Sequence, residues 1–381
     1  MSPRAPLPSL SISFVCFSSS RGGLELMLVR LAHSLWELGH SAFLVSPPGS
    51  AIEQESHRLG ILHYALSPKF KYLDPRAAGY LRRYFIKHST QVVVVGTSKD
   101  ISTVVLVKKH LKSLRVAYFQ QMQSGMTKKD LFHRWAYTKL DRWITLTKAM
   151  KESTLNNTIV HPSIIDVVPL GVDLKQFAPG RYRRNTVRKH FGLPNSKMII
   201  GLVGRYDPQK GHETFLRAAP AILKRYPNAH FVLVGEETRG ETGFLGRLRQ
   251  LVEEEGIGSS VQFLPFTDQV PRLLSAFDLT TMPSYSETYG YLAIESMAMG
   301  IPVVGTNAGG LPEIIEDGKS GILVPPGDHR ALAQAIVSLL SNRRRLREFS
   351  RLARKRALGS FDYNEGVRAF QESLFKALAA G

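Results

Sequence analysis

One cysteine, Cys16, is the whole thiol content of this 381-residue chain. An internal disulfide is therefore excluded, and packing and hydrogen bonds must hold the fold, as suits a reducing compartment. No uninterrupted apolar run is long enough to span a bilayer. Near the start, Arg4 precedes the apolar stretch Leu10-Ser11-Ile12-Ser13-Phe14-Val15-Cys16-Phe17. That stretch is short, and Arg21-Gly22-Gly23 follows where a small-residue cleavage site would close a signal peptide, so it reads as a first β-strand. Repeats and low-complexity segments do not stand out. No Asp-x-Asp pair or histidine cluster argues for a divalent metal, and no RNA- or DNA-reading motif is recognised.

Acidic residues are scarce beside basic ones: 31 Asp and Glu against 50 Lys and Arg give a formal charge of +19. The imbalance is concentrated early, with 22 Lys and Arg against 10 Asp and Glu over residues 1–170. A basic first half suits an anionic partner such as a membrane surface or polyanionic glycan, or simply solubility. Hydrophobic and charged fractions of 43% and 21% are globular values. The length exceeds one ordinary core, so two domains of roughly 170–200 residues are expected.

Short apolar runs alternate with helical patterns in both halves. Ser11–Phe17, Ser41–Ser46, Val92–Val95, Val116–Phe119 and Trp143–Leu146 read as strands, and Leu24–Leu38 as an amphipathic helix. The pattern restarts after Asp166–Asp173. Strands are expected at Ile199–Val203, His230–Val234, Val261–Leu264, Leu279–Met282 and Val303–Gly305. Helices are expected at Glu213–Lys224, Glu241–Glu255, Val270–Phe277, Gly290–Met299 and Asp328–Leu340. Such alternation predicts an α/β fold of two doubly wound Rossmann-like domains. The expected division is a first domain over 1–170, a second over 171–360, and a C-terminal helix over 361–381 that packs back on the first domain. Two such domains facing each other would leave a ligand cleft at the carboxyl ends of both sheets.

Two segments carry the chemistry. Gly204-Arg205-Tyr206-Asp207-Pro208-Gln209-Lys210-Gly211 leaves a predicted strand and offers two cations. Arginine's planar fork suits phosphate oxygens and lysine supplies a compact charge; the plainer alternative is an exposed loop of solvated cations. Ser286-Glu287-Thr288-Tyr289-Gly290 opens into a helix whose free N–H groups and positive end favour an anion. Glu287 at that entry can accept hydrogen bonds from sugar hydroxyls, or can merely complement the dipole. Glu295 lies about one and a half turns on, roughly 7–8 Å along the axis, a reach that suits a second vicinal diol.

Glu287 and Glu295 match the E-x7-E signature of the retaining GT-B glycosyltransferases of family 4 type. The chain resembles that family also in Gly300–Glu313 and Asp317–Asp328, in the loop Val203–Gly211, in Val168–Phe177, and in Gly22-Gly23-Leu24-Glu25. Together, in order and on the expected strand–loop–helix contexts, these motifs are specific. The resemblance implies a metal-independent hexosyl transfer with retention, to a glycan or glycolipid hydroxyl, in envelope glycan synthesis such as lipopolysaccharide. It implies a nucleotide-diphosphate sugar as donor substrate, UDP first and GDP or ADP next, and no tightly bound cofactor. Arg205 and Lys210 would hold the diphosphate, Glu287 the donor sugar, and Glu295 the ribose. Backbone around Thr288, Tyr289, Gly290 and Tyr291, and at Gly22 and Gly23, would meet phosphate or sugar. The base would lie near Gly235 and Phe263.

The chain departs from the family at Gly235-Glu236-Glu237, at Pro265, and at Tyr118–Gln123, where many relatives carry a histidine. Gln120 or Gln121 would take the histidine's place on the acceptor side; glutamine can donate but cannot act as acid or base. Tyr80–His88 mixes cations with aromatics at helical spacing, and Lys108, Lys109, Lys112, Arg115, Lys128 and Lys129 add charge. That basic surface suits a cytoplasmic protein peripheral on the inner face of the plasma membrane, with a lipid-linked acceptor and no nucleic acid; the plainer alternative is aromatics packed in the core with the lysines on a solvated face. Alternatives are a nucleotide-sugar epimerase on the same fold, or a non-catalytic anionic-ligand-binding protein.

Overall fold

The computed structural model describes residues 8–379 except 21, 124 and 238–242. Arg4, Arg21 and the first two residues of the helix expected from Glu241 fall outside the described residues. The chain forms two compact units. One comprises Met1–Pro169 with Gly366–Gly381, the other Leu170–Glu365.

In the first unit, seven strands form one sheet: β1 Ser11–Val15, β2 Ser41–Ser46, β3 Leu62–Ala65, β4 Val92–Val95, β5 Arg115–Gln120, β6 Arg142–Thr145 and β7 Ile165–Val167. Their order is β3-β2-β1-β4-β5-β6-β7, and every pairing is parallel. Helices cover both faces, so the central strands are apolar throughout; all four valines of β4 are buried. Strand order reverses between β1 and β4, which opens a crevice at their carboxyl ends. The last helix, Tyr363–Ala379, joins this unit from Gly366 onward. There the Phe370 ring packs 5.2 Å from Phe119, and Ser373 donates to Asp166 at 2.7 Å.

The second unit holds β8 Met198–Val203, β9 Ala229–Val234, β10 Val261–Leu264, β11 Leu279–Met282, β12 Val303–Thr306 and β13 Gly321–Val324. These are parallel in the order β10-β9-β8-β11-β12-β13, with the reversal between β8 and β11. Phe215 and Phe231, both fully buried with rings 5.4 Å apart, sit in its core.

Several elements were not expected from sequence: β3, β7, β13, and the helices Ala51–Arg58 and Ile101–Lys108. β3 is half-exposed at the sheet edge and lacks a clear alternation, while β7 is only three residues long. The helix expected over Val270–Phe277 ends at Leu274, freeing Phe277 to fill the space above Gly201.

Candidate functional site

Arg205 follows β8 at the second unit's reversal point, and its side chain is exposed. Tyr206 turns the other way and is buried. Its hydroxyl donates toward the Leu233 and Leu264 carbonyls at 3.3 and 3.2 Å, tying the loop to the ends of β9 and β10. Burial pushes that phenol up to about 12, so it stays a donor. Asp207 accepts from the Gln209 N–H at 2.8 Å and starts the single turn Pro208–Lys210. Gly211 closes it at φ +73°, and a Cβ there would lie 1.9 Å from the Pro283 carbonyl oxygen. Only glycine allows this approach of the loop to the end of β11.

The acidic segment is joined to this loop. Tyr285 N–H donates to Gln209 O at 2.9 Å. Lys210 Nζ lies 2.7 Å from Glu287 Oε2, with 30% and 13% of the two side chains exposed. Sequence assigned Lys210 to phosphate and Glu287 to sugar separately; the fold pairs them across 77 positions. The ammonium keeps two further donors, while no hydrogen-bond or ion-pair partner is seen for the Arg205 guanidinium among the described residues. Gly310 N–H donates to the Glu287 carbonyl at 2.8 Å, and Thr306 Oγ1 donates to Ser284 O at 2.6 Å, so the loop after β12 holds Glu287 from behind.

Thr288, Tyr289 and Gly290 lead into the helix Tyr291–Ala298, which carries Glu295 half-buried on its second turn. Tyr289 is buried and donates to Leu170 O at 2.6 Å, fixing the helix entry from below; burial raises its pKa. Gly235 N–H donates to Leu264 O at 3.1 Å, and the half-buried Phe263 ring sits 6.2 Å from Tyr206. Arg205, Lys210, Glu287, Gly235 and Phe263 thus belong to linked strand ends of one unit.

The other expected residues lie in the first unit around a cavity of about 540 Å3. Gly22 and Gly23 open the helix Gly23–Glu37, whose start carries no side-chain cap. Gln121 Nε2 donates to Leu24 O at 3.2 Å. Gln120 is almost wholly buried and its amide is engaged internally: Oε1 accepts from Trp143 and Thr154 at 2.7 Å each, and Nε2 donates to Met122 O at 3.0 Å. It orders the cavity wall, and Gln121 is the more exposed of the two. Lys71, Lys99 and Lys128 also line the cavity. Lys128 Nζ donates to Ser98 Oγ at 3.1 Å, and burial, then the nearby Lys99 charge, lowers its pKa. Asp100 on the same wall accepts from Phe17 N–H and Thr97 Oγ1, and burial pushes it up to about 6. Sequence reasoning missed Tyr206, Lys99 and Asp100.

The segment Tyr80–His88 turns two of its aromatics into the core and leaves Tyr80 half-buried beside Arg76 and Arg83. Tyr84 and Phe85 are buried in the helix Pro75–Lys87, leaving Arg82, Arg83, Ile86 and Lys87 exposed. A 3.6-residue period carries an aromatic stripe into the core as readily as onto a surface. Lys108 is likewise spent on Asp141 at 2.6 Å. No helix among the described residues is long and apolar enough to cross a membrane.

Known proteins match both units. Residues 183–356 match the family of glycosyl transferases group 1, and residues 21–176 match glycosyltransferase family 4. The chain belongs to the GT4-type glycosyltransferases. A D-inositol 3-phosphate glycosyltransferase of Corynebacterium urealyticum is 36% identical over 187 residues, which is 48% of this chain and 44% of that protein. One from Mycobacteroides abscessus is 34% identical over 241 residues, 63% of this chain and 52% of the relative. The chain thus spans about half the length of the curated relatives it matches. Among solved structures, a glycosyltransferase from Rickettsia africae covers 98% of this chain and 99% of its own at 21% identity, with a TM-score of 0.89. Anabaena Alr3699/HepE in complex with UDP and glucose covers 96% and 99% at 21% identity, with a TM-score of 0.84. These likenesses show the GT-B class of two Rossmann-like parallel-sheet domains.

Proposed function

We propose that this family member transfers a hexosyl group, with retention and without a metal ion, from a nucleotide-diphosphate sugar to an acceptor hydroxyl. The observation that carries the reading is the Arg205, Lys210 and Glu287 constellation at the reversal point of the second unit. Arg205 and the two spare donors of Lys210 would stabilise negative charge on the departing diphosphate. Glu287, held by Lys210 and the 306–310 loop, would accept from donor-sugar hydroxyls, and Glu295 from the ribose. The helix entry at Thr288–Tyr291 would meet phosphate, and Phe263 with Gly235 would border the base. In the transfer the bond from the anomeric carbon to the phosphate oxygen breaks and a bond to the acceptor oxygen forms on the same face. The acceptor's proton passes to the leaving diphosphate. Positioning and electrostatics then supply the acceleration.

For the base, UDP is the first choice; the Anabaena structure with UDP and glucose supports it. For the acceptor we favour a phosphate-bearing polyol or glycan, lodged in the first unit's cavity with its anion beside Lys99 and Lys128. The named activity of the relatives, on inositol 3-phosphate, points to the same chemistry and away from a dedicated envelope-glycan role. The test is a thermal-shift screen of UDP-, GDP- and ADP-sugars, followed by a donor-hydrolysis assay on the best hit. A UDP-sugar should raise Tm and be hydrolysed to UDP. Absence of any shift and any turnover would sink the proposal; conversion to an isomeric sugar nucleotide would replace transfer with epimerisation.

A further inference from the structure

We propose that Glu53, His57 and His63 form a binding site for one divalent transition-metal ion of the zinc class. Glu53 and His57 stand four positions apart on the helix Ala51–Arg58, and so share one face. His63 comes from the adjoining edge strand β3. One carboxylate oxygen and one ring nitrogen from each histidine lie within 4.8 Å of one another. A tetrahedral ion with bonds near 2.0–2.1 Å holds its ligand atoms about 3.3 Å apart. Rotation of the exposed His57 side chain closes that difference, and water completes the fourth position.

The surrounding contacts favour a cation. His63 Nδ1 faces Glu53 Oε1 at 3.4 Å, long for a hydrogen bond, and the His63 side chain is 2% exposed. Its other nitrogen, Nε2, is taken by Ser46 Oγ at 2.8 Å, and Ser46 reaches Ser50 Oγ at 2.8 Å. Ser50 in turn accepts from the Glu53 N–H. The second Glu53 oxygen accepts from the Gly49 N–H at 2.5 Å. Each inner ligand is thus oriented by a hydrogen bond on its far side, as outer-shell groups orient metal ligands, with Glu53 Oε1 and His63 Nδ1 left facing the gap. Imidazole with carboxylate suits zinc or its cobalt surrogate better than magnesium or calcium. None of the three residues lines the cavity of the same unit, so the site is separate from the acceptor reading. An ion here would clamp the helix to β3, an otherwise open sheet edge.

The test uses the full chain after chelation. Co2+ is titrated while the visible d–d absorption of four-coordinate cobalt is followed, and Zn2+ is then added in competition. One equivalent should bind and be displaced by Zn2+, and Zn2+ should raise Tm. His57→Ala, at an exposed position, should weaken binding at least ~10-fold. His161→Ala, an exposed histidine elsewhere in the unit, should leave binding unchanged. Glu53→Gln provides a second ligand variant. Failure of the wild-type chain to bind, or equal binding by His57→Ala and Glu53→Gln, would overturn the proposal.

Discussion

Lys210 reaches Glu287 across 77 positions of sequence, and that one contact decides how both residues should respond to substitution. With 30% of the lysine and 13% of the glutamate side chain exposed, solvent screens the pair, and its share of stability is about 1 kcal/mol. Its larger consequence is positional: the ammonium is held beside the site with two donors unspent. Lys210→Ala should therefore lower kcat by about 100-fold or more while Tm moves by only a few degrees. Steady-state kinetics beside a melting curve checks this, and near-wild-type turnover would remove Lys210 from charge stabilisation. Glu287→Gln keeps an acceptor for the ammonium, so its deficit should be smaller than that of Glu287→Ala. If lysine and glutamate act as one unit, the Lys210→Ala/Glu287→Ala double variant should lose less than the sum of the two single losses.

At the scale of elements, the site is a set of strand ends braced by loops. Gly309 stands at φ +60°, and a Cβ there would lie 1.9 Å from the Glu287 carbonyl oxygen. That neighbour is backbone and cannot rotate aside. Gly256 also has a positive φ, +65°, but nothing lies within 4 Å of its Cβ position. Gly256→Ala should cost only the left-handed strain, about 1 kcal/mol. Gly309→Ala should lose more Tm and also raise KM for the donor, because Glu287 must shift; equal effects of the two would mean the brace is irrelevant. The strand–helix alternation and the central strands of both sheets were legible, because buried parallel strands read as apolar runs. β3 and β7 were not, being half-exposed or three residues long. Arg205, Lys210, Glu287 and Glu295 could be picked from spacing and family likeness. Their mutual contacts could not, nor could the engagement of Gln120 by Trp143 and Thr154, 23 and 34 residues away. Glu53, His57 and His63 drew no notice in the sequence, because neither the helix Ala51–Arg58 nor β3 was expected there, and only their packing brings the three together.

At the scale of the whole molecule, a buried group in each unit titrates between pH 4 and 7, and the two oppose each other with pH. Asp100 in the first unit is pushed up to about 6 by burial, against an unfolded value near 3.8. The folded state therefore holds the extra proton between those values. Stability from this group is greatest below about pH 4 and is lost as pH rises through 6. His212 in the second unit lies between the Tyr206 and Phe244 rings, with centroids 5.4 and 6.1 Å away, and burial takes it from 6.5 down to about 4. Here the unfolded state holds the extra proton, so stability is present above 6.5 and falls as pH drops toward 4. The variants separate the two. Asn at position 100 can still accept from Phe17 N–H and Thr97, so Asp100→Asn should gain Tm relative to the wild type as pH rises from 5 to 7.5, with the difference vanishing near pH 4. His212→Phe should gain relative to the wild type in the opposite direction, as pH falls from 7 to 4.5. Parallel Tm–pH curves for the wild type and Asp100→Asn would show that Asp100 ionises freely in the folded protein. The cavity wall carrying Lys99 and Lys128 would then be wetter than its burial indicates, and its lysines would be weaker as anion ligands.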